Sequence, residues 1–402
     1  MSQTSTVTVA HRGDVAWVTI DNPPVNATST DVRAGLERAV ADVQGARVAV
    51  LQCAGRTFVA GGDMSEFDLP PELPHLPDVV QLIEDSPVPF VALLHGTVLG
   101  GGFELAMGSA WRIAAPNTRF GLPEVNVGLI PGAGGTQRLP RLIGMEAAID
   151  VACSGKMLTA EEMLALGGID QIVDGDPDAA AKAVVEDLPA RPVPVSQRTL
   201  PPIDSELVEA NRKAIAARAK GQTSPLDNLD ALLMAARPFA EAQPLERAQH
   251  LELRNSAQSR ALRHAFFAER EVARPTAIQG ARPREIETVV VVGGGLMGAG
   301  IATAMLNAGL KVTLIERDGG EAVAAQERVA GLVHSAVKRG KATNDQAEER
   351  LGRLECVSDY AKAAGADLAI EAVFEDVAVK QEVFAKMAPI MGDQAILATN
   401  TS

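Results

Sequence analysis

Only three cysteines, Cys53, Cys153 and Cys356, occur in the 402 residues, and they lie far apart. That spacing gives neither a disulfide framework nor a metal site, so all three are expected as buried apolar residues in a reducing compartment. No metal is expected. Basic residues are also in deficit, 37 Lys and Arg against 51 Asp and Glu, for a formal net charge of −14. Nucleic acid and anionic membranes both want a basic patch, so neither is expected as the main partner. An anionic small molecule stays possible wherever basic side chains gather locally. The N-terminal MSQTSTVTVAHRGDVAW lacks a basic-then-apolar signal pattern. One long uncharged stretch, 288–310, carries six glycines and an Asn, and reads as a strand-to-helix turn rather than a membrane span. A soluble, intracellular protein is expected.

What is present is an apolar share of 47% and enough length for two or three domains. Residues 5–187 alternate strand and helix signals: strands at 14–20, 47–53, 89–96 and 111–116, with helices at 28–44, about 136–153 and 159–167. The first helix places Val32, Leu36, Ala39/Val40 and Val43 on one face. Five prolines within 188–202 mark a boundary or semi-rigid linker. Residues 204–272 read as helical, most convincingly over 244–272 with Pro244 near the first turn. A second linker, 273–285, precedes a new βαβ unit.

That unit, TVVVVGGGLMGAGIATAMLNAGLKVTLIERD, contains Gly293-x-Gly295-x-x-Gly298 between a β-branched strand and a helix. Glu316 closes the next strand, 18 residues beyond Gly298. Glycines there let backbone amides, including those of Leu296 and Met297, approach a pyrophosphate at a helix N-terminus, and an acid after the second strand can accept from ribose hydroxyls. An acid repels a 2′-phosphate, which favours NAD over NADP, while Arg317 next door keeps NADP open. A tight turn in a non-binding domain is the plain alternative.

Upstream, HGTVLGGGFELAMG reads as strand, glycine turn and helix, with Glu104 alone in an apolar run. TFVAGGDMSEF repeats the design, with Gly61-Gly62 before Asp63. Such turns leave helix-initial N–H groups free, and two of them converging can serve one developing oxyanion. Glu124 lies before another glycine-rich loop; two glutamates can hold a water between them, one as base and one as acid. Taken singly, Glu104 is as well read as a helix residue facing solvent or an arginine, and Glu124 as a loop acid capping a turn.

Four ordered segments, FVAGGDMSEF, HGTVLGGGFELAMGSAWRIAA, FGLPEVNVGLIPGAGGTQRLPRLIG and SGKMLTAEEMLALGGIDQIV, resemble the crotonase (enoyl-CoA hydratase/isomerase) family over residues 8–190. AFFAERE followed by the glycine fingerprint resembles the junction to the NAD-binding half of L-3-hydroxyacyl-CoA dehydrogenases. That order is similar to the bifunctional proteins of fatty-acid β-oxidation. The resemblance implies an α/β architecture: a crotonase-like ββα spiral domain at 1–190, a helical linker region at 191–284 completing it, and an incomplete Rossmann-type NAD-binding domain at 285–402. It implies oxyanion donors on the N–H groups of Gly62 and Gly101, where Gly62 departs from the more usual alanine, and catalytic carboxylates at Glu104 and Glu124. Since both glutamates are present, syn-hydration of a trans-2-enoyl-CoA to an L-3-hydroxyacyl-CoA is favoured, the assignment of acid and base staying open. Coenzyme A enters as part of the substrate.

In ADLAIEAVFEDVAVKQEVFAKMAP and AILATNTS the resemblance implies nicotinamide-side positions at Glu375 and Lys380, with Glu371 and Asn400 also matching and Ser402 a substrate-hydroxyl contact. The dehydrogenase's catalytic histidine would follow residue 402, and none of the six histidines lies beyond His334, so a fragment of a longer protein is expected, able to hydrate but not to oxidise. Each histidine present is read by default as core or surface. A Δ3,Δ2-enoyl-CoA isomerase in the same pocket and a non-catalytic NAD/CoA-binding module are the rival readings. A thiolase subunit is a possible partner of the full-length protein. The expected location is cytoplasmic in a bacterium, with a peroxisomal or other organelle matrix also open.

Overall fold

A computed structural model describes residues 5–175, 185–186, 188–272, 275, 278 and 280–401. The chain forms two compact units, 1–276 and 277–402.

In the first unit the chain builds two sheets and passes repeatedly from the larger to the smaller. The larger sheet holds β1 (Val7–Arg12), β2 (Val15–Ile20), β3 (Val48–Cys53), β4 (Phe90–Leu94), β6 (Trp111–Ala114) and β9 (Gln171–Ile172), in the order β1-β2-β3-β4-β6-β9. The β1–β2 pair is antiparallel and the others are parallel. The smaller sheet is β5 (Thr97–Leu99), β7 (Arg119–Gly121) and β8 (Leu158–Thr159), and a parallel bridge from Val59 to Val98 extends it by one more segment. Both faces of the larger sheet are covered, which explains why its strands read as nearly continuous apolar runs. Ala49, Leu51, Phe90, Ala92 and Leu94 face the main core, while Val48, Val50 and Val91 join Trp17, Trp111 and Ile113 in a second cluster.

This winding sets the site. Three successive turns each run from the large sheet to the small one, and then into a short helical segment. After Val59 comes Gly61-Gly62; after β5 comes the helix Gly101–Gly108; after β7 comes the 3₁₀ turn Pro123–Val127. The parallel small-sheet pairing, with Leu99 N donating to Val59 O and Gly100 N to Gly121 O, lays these three exits side by side.

The first helix spans Thr30–Asp42, capped by Ser29, and buries Val32, Leu36, Ala39 and Val43. The helix expected over 136–153 is two, Gly135–Ile143 and Met145–Ser154, because Gly144 turns the chain at φ +83°. The helix expected over 244–272 is also two. Phe239–Arg254 contains Pro244 inside rather than at its start, and Asn255-Ser256 separate it from Ala257–Val272. The proline-rich 188–202 stretch is docked, not merely a spacer: Val195 and Ser196 are buried, and Ser196 N donates to Glu84 Oε1 at 3.0 Å. Glu84 in turn holds the buried Arg138 guanidinium at 2.7 Å. Burial would raise the Glu84 carboxyl, but Arg138 and Ser196 outweigh it and hold it below the usual carboxylate range.

The second unit is an open parallel sheet of β12 (Leu354–Val357), β11 (Lys311–Ile315), β10 (Thr288–Val292), β13 (Leu368–Glu371) and β14 (Ile396–Thr399), in that order. Alternate β10 residues feed two cores: Val289 and Val291 pack with Ala299, Ala302 and Leu306, and Val290 and Val292 with Val383 and Met387. Strand order reverses at β10, so the crevice at the carboxyl ends of β10 and β13 is the topological switch point. The uncharged 288–310 stretch is β10 and the helix Leu296–Asn307. Among the described residues no helix is long and apolar enough to cross a membrane. Cys53 and Cys153 are buried as expected, whereas Cys356 on β12 is only half-buried; all three are free thiols.

Glu84→Ala leaves the Arg138 guanidinium buried without its carboxylate. The expected result is a loss of about 3–5 kcal/mol in urea unfolding, partly recovered by adding Arg138→Met.

Candidate active site

The three exits open on a cavity of about 580 Å³ lined by Gly62, Gly101, Glu104, Glu124, Arg247 and His250, among others. The N–H groups of Gly62 and Gly101 have no acceptor among the described residues. A Cβ built on Gly101 would lie 3.8 Å from Gly62 N, so the two amides serve one small volume. The three glycines ahead of Glu104 have three separate causes. Gly100 has φ +51°, and a Cβ there would come within 2.7 Å of Glu124 Oε1. On Gly101 a Cβ would meet Leu76 at 2.7 Å, and on Gly102 it would stand 2.4 Å from Val59 O. Gly62 is less constrained, its Cβ meeting the Phe67 ring at 3.3 Å and Thr28 Oγ1 at 3.9 Å.

Glu104 neither faces solvent nor forms an ion pair with an arginine among the described residues. It is 3% exposed, and its Oε1 accepts from Ala133 N at 2.7 Å and Gly135 N at 2.8 Å. Burial raises its carboxyl against the pull of those two amides. Glu124 is not a capping acid either. Its Oε2 is buried without a hydrogen-bond partner, and burial together with the charge of Glu104 pushes its carboxyl up to about 8.

Sequence reasoning assigns no site residue to the 244–272 stretch, yet the helix Phe239–Arg254 belongs to the site's surroundings. It brings Glu246, Arg247, His250 and Arg254 to this region. Glu246 is fully buried. His250 Nδ1 lies 2.7 Å from Ile130 O, and burial pushes its pKa down to about 4, so the ring is neutral. A Glu and a His four residues apart share a helix face, and that spacing was the available signal.

In the second unit Gly293 has φ +94°, and a Cβ on it would lie 2.8 Å from Ala372 O. A Cβ on Gly298 would lie 1.7 Å from Gly293 O, so only glycine lets helix and strand meet there. Gly295 by contrast faces open space and caps the helix without a side-chain bond, while Leu296 and Met297 are 86% and 56% exposed. Glu316 Oε1 accepts from Gly294 N at 2.6 Å. This cradle fits a dinucleotide pyrophosphate. Arg317 is engaged by Glu321 at 2.7 Å and Asp318 at 3.5 Å. At the far side Lys380 joins Glu375 at 3.2 Å and Glu371 at 3.0 Å. Glu371, fully buried, also accepts from Thr399 Oγ1, and its carbonyl takes the Asn400 N–H. Ser402 lies outside the described residues.

These features define a chain of two α/β units, one with an oxyanion-type cavity holding two glutamates and one with a dinucleotide-type glycine loop. Residues 10–184 match the family model for enoyl-CoA hydratase/isomerase, and residues 288–402 that for the 3-hydroxyacyl-CoA dehydrogenase NAD binding domain. The first unit thus carries an enoyl-CoA hydratase/isomerase domain and the second a 3-hydroxyacyl-CoA dehydrogenase NAD binding domain. It is 35% identical over 402 residues to the peroxisomal bifunctional enzyme of Danio rerio, covering 96% of this chain and 55% of that protein. The Homo sapiens peroxisomal bifunctional enzyme is 34% identical, with 96% and 56% covered. The peroxisomal fatty acid beta-oxidation multifunctional protein AIM1 of Arabidopsis thaliana is 34% identical, with 96% and 57% covered. The chain thus spans about half the length of the curated relatives it matches.

If Gly102 is glycine for backbone packing alone, Gly102→Ala should destabilise the chain by about 1–3 kcal/mol in urea unfolding, because Val59 O is backbone and cannot swing aside.

Proposed function

We propose that the first unit adds water across the double bond of a trans-2-enoyl-CoA, giving an L-3-hydroxyacyl-CoA, as a step of fatty-acid β-oxidation. The observation that carries the reading is the contrast between two carboxyls in one cavity with two free amides. Glu104 accepts two backbone N–H groups, which favour its anion; Glu124 has an orphaned oxygen and sits beside that anion, which favours its proton. Glu104 is then the base and Glu124 the acid.

The thioester oxygen accepts from the Gly62 and Gly101 N–H groups, which stabilise the enolate as it forms. Glu104 Oε2 takes one proton from water as the water oxygen bonds to C3. Electrons of the double bond move onto the thioester, and Glu124 gives its proton to C2. One water is consumed, and the proton gained by Glu104 balances the one lost by Glu124. Gly62→Ala leaves the donor in place, since a backbone amide does the work.

The second unit binds NAD. Gly293, Gly295, Leu296, Met297 and Gly298 would hold the pyrophosphate, Glu316 the ribose hydroxyls, and Glu375 and Lys380 the nicotinamide side. When bound, the nicotinamide supplies a hydride acceptor. The role of this unit is that of an L-3-hydroxyacyl-CoA dehydrogenase's cofactor half. The relatives' peroxisomal names support an organelle matrix as the compartment.

Glu104→Gln and Glu124→Gln should each lower kcat on crotonyl-CoA by about 10²–10⁴ with little change in KM. Activity of the unmodified chain should fall as pH rises past about 8, because Glu124 must carry a proton to act as acid and loses it there. Initial rates across pH 6–10 check both, and near-normal turnover in either variant would refute the pairing. Calorimetric titration should show NAD(H) binding and clearly weaker NADP(H), since Arg317 is paired and Glu316 repels a 2′-phosphate. Equal affinities would overturn that assignment.

A further inference from the structure

We infer that Glu246 is a positioning residue for the glutamate pair, a third carboxylate that holds the 133–136 loop in the register Glu104 needs; this rests on the hydration reading above. Four consecutive amides of that loop go alternately to two carboxylates. Ala133 N donates to Glu104 Oε1 at 2.7 Å, and Gly134 N to Glu246 Oε2 at 2.6 Å. Gly135 N then returns to Glu104 Oε1 at 2.8 Å, and Thr136 N to Glu246 Oε1 at 2.8 Å. The loop is clamped from both sides. Gly134, at φ +94°, makes the reversal, and a Cβ on Gly135 would lie 2.8 Å from Glu104 Oε1.

Thr136 tightens the clamp. Its hydroxyl accepts from Gln137 Nε2 at 2.8 Å, which leaves its own proton for Glu246 Oε1 at 2.5 Å. Glu246 therefore receives three donors, and no ion pair among the described residues involves it. A fully buried carboxylate without a cation is costly for stability alone, and a neutral polar residue would cap a helix start more cheaply. Glu246 lies behind the cavity wall, on the far side of the loop from Glu104, and burial with the charge of Glu104 pushes its carboxyl up to about 8. Its charge therefore appears over the pH range in which Glu124 titrates, and Glu246 is one of the groups that raise the Glu124 carboxyl. The other charged or titratable groups around the loop are Arg138 and Arg247, which favour the Glu104 anion, and the neutral His250.

Glu246→Gln replaces one acceptor oxygen by an NH₂ that cannot take a backbone N–H, and it removes the negative charge that Glu246 gains as pH rises past about 8. The first change frees one side of the loop, so kcat on crotonyl-CoA should fall about 10- to 100-fold with KM nearly unchanged. The second eases ionisation of Glu124, so the alkaline limb of the kcat/KM profile should move to lower pH. Thr136→Val removes only the hydroxyl's contribution and should lower kcat less than Glu246→Gln does. It carries the test if Glu246→Gln does not fold. Unchanged kcat in the variants, or a fall in kcat with the alkaline limb unmoved, would overturn the assignment. Infrared titration of buried carboxyl C=O bands keeps the two readings separate. If the unmodified chain fails to hydrate crotonyl-CoA, the hydration reading falls. Even then Glu246→Gln must shift the titration of the remaining buried carboxyls downward, and an unchanged titration would refute the coupling.

Discussion

Glu104 is almost fully buried and has no ion-pair partner among the described residues, so its charge has to be held by backbone amides. Amides can approach a carboxylate this closely only where side chains do not intervene, and that requirement spreads outward. It makes Gly135 a glycine, because a Cβ would press on Glu104 Oε1, and it demands a reversal at Gly134. The held charge also acts on its neighbours: it raises the carboxyls of both Glu124 and Glu246, since three buried carboxyls near one another do not all ionise together at neutral pH. The hydrogen-bond donors decide where the proton rests. Glu104 has two, Glu246 has three, and Glu124 has its own backbone N–H with nothing on its buried Oε2.

The two units use one local device for different ends. In each, a strand runs into a glycine turn and a helix, and a carboxylate grips a loop amide: Glu104 takes Ala133 and Gly135, and Glu316 takes Gly294. The surroundings differ. The first turn is deep among three buried carboxyls, Glu104, Glu124 and Glu246, where burial shifts proton affinity. The second lies at an open switch point with Leu296 and Met297 exposed, where the same geometry presents amides to solvent. Chemistry follows from burial, and binding from exposure.

Much of this was legible in the residues. Strand and helix alternation, the strand–glycine–helix fingerprint at 293–298 and the paired turns at 61–62 and 100–102 all rest on local rules, and local rules survive folding. What was not legible depends on distant packing. Pro244 reads as a helix start, yet Phe239–Arg254 runs through it because its buried face, with Ala242, Glu246 and His250, outweighs one lost backbone bond. Glu246 itself lies 112 residues from Gly134, and no spacing in the sequence announces that contact. The break at Gly144 needed its positive φ to be known. The assignment of acid and base was open in the sequence because it depends on which carboxylate the loop amides reach.

The proline-rich 188–202 stretch connects to this machinery through a chain of contacts. Ser196 N donates to Glu84, Glu84 holds Arg138, and Arg138 Nη1 donates to Ala133 O at 3.2 Å, on the residue whose own amide grips Glu104. Proline fixes φ at each of its positions, so a stretch holding five of them has little freedom to drift from its dock. A segment that looks like packaging is therefore a support of the loop that grips Glu104, reaching it through three contacts in sequence.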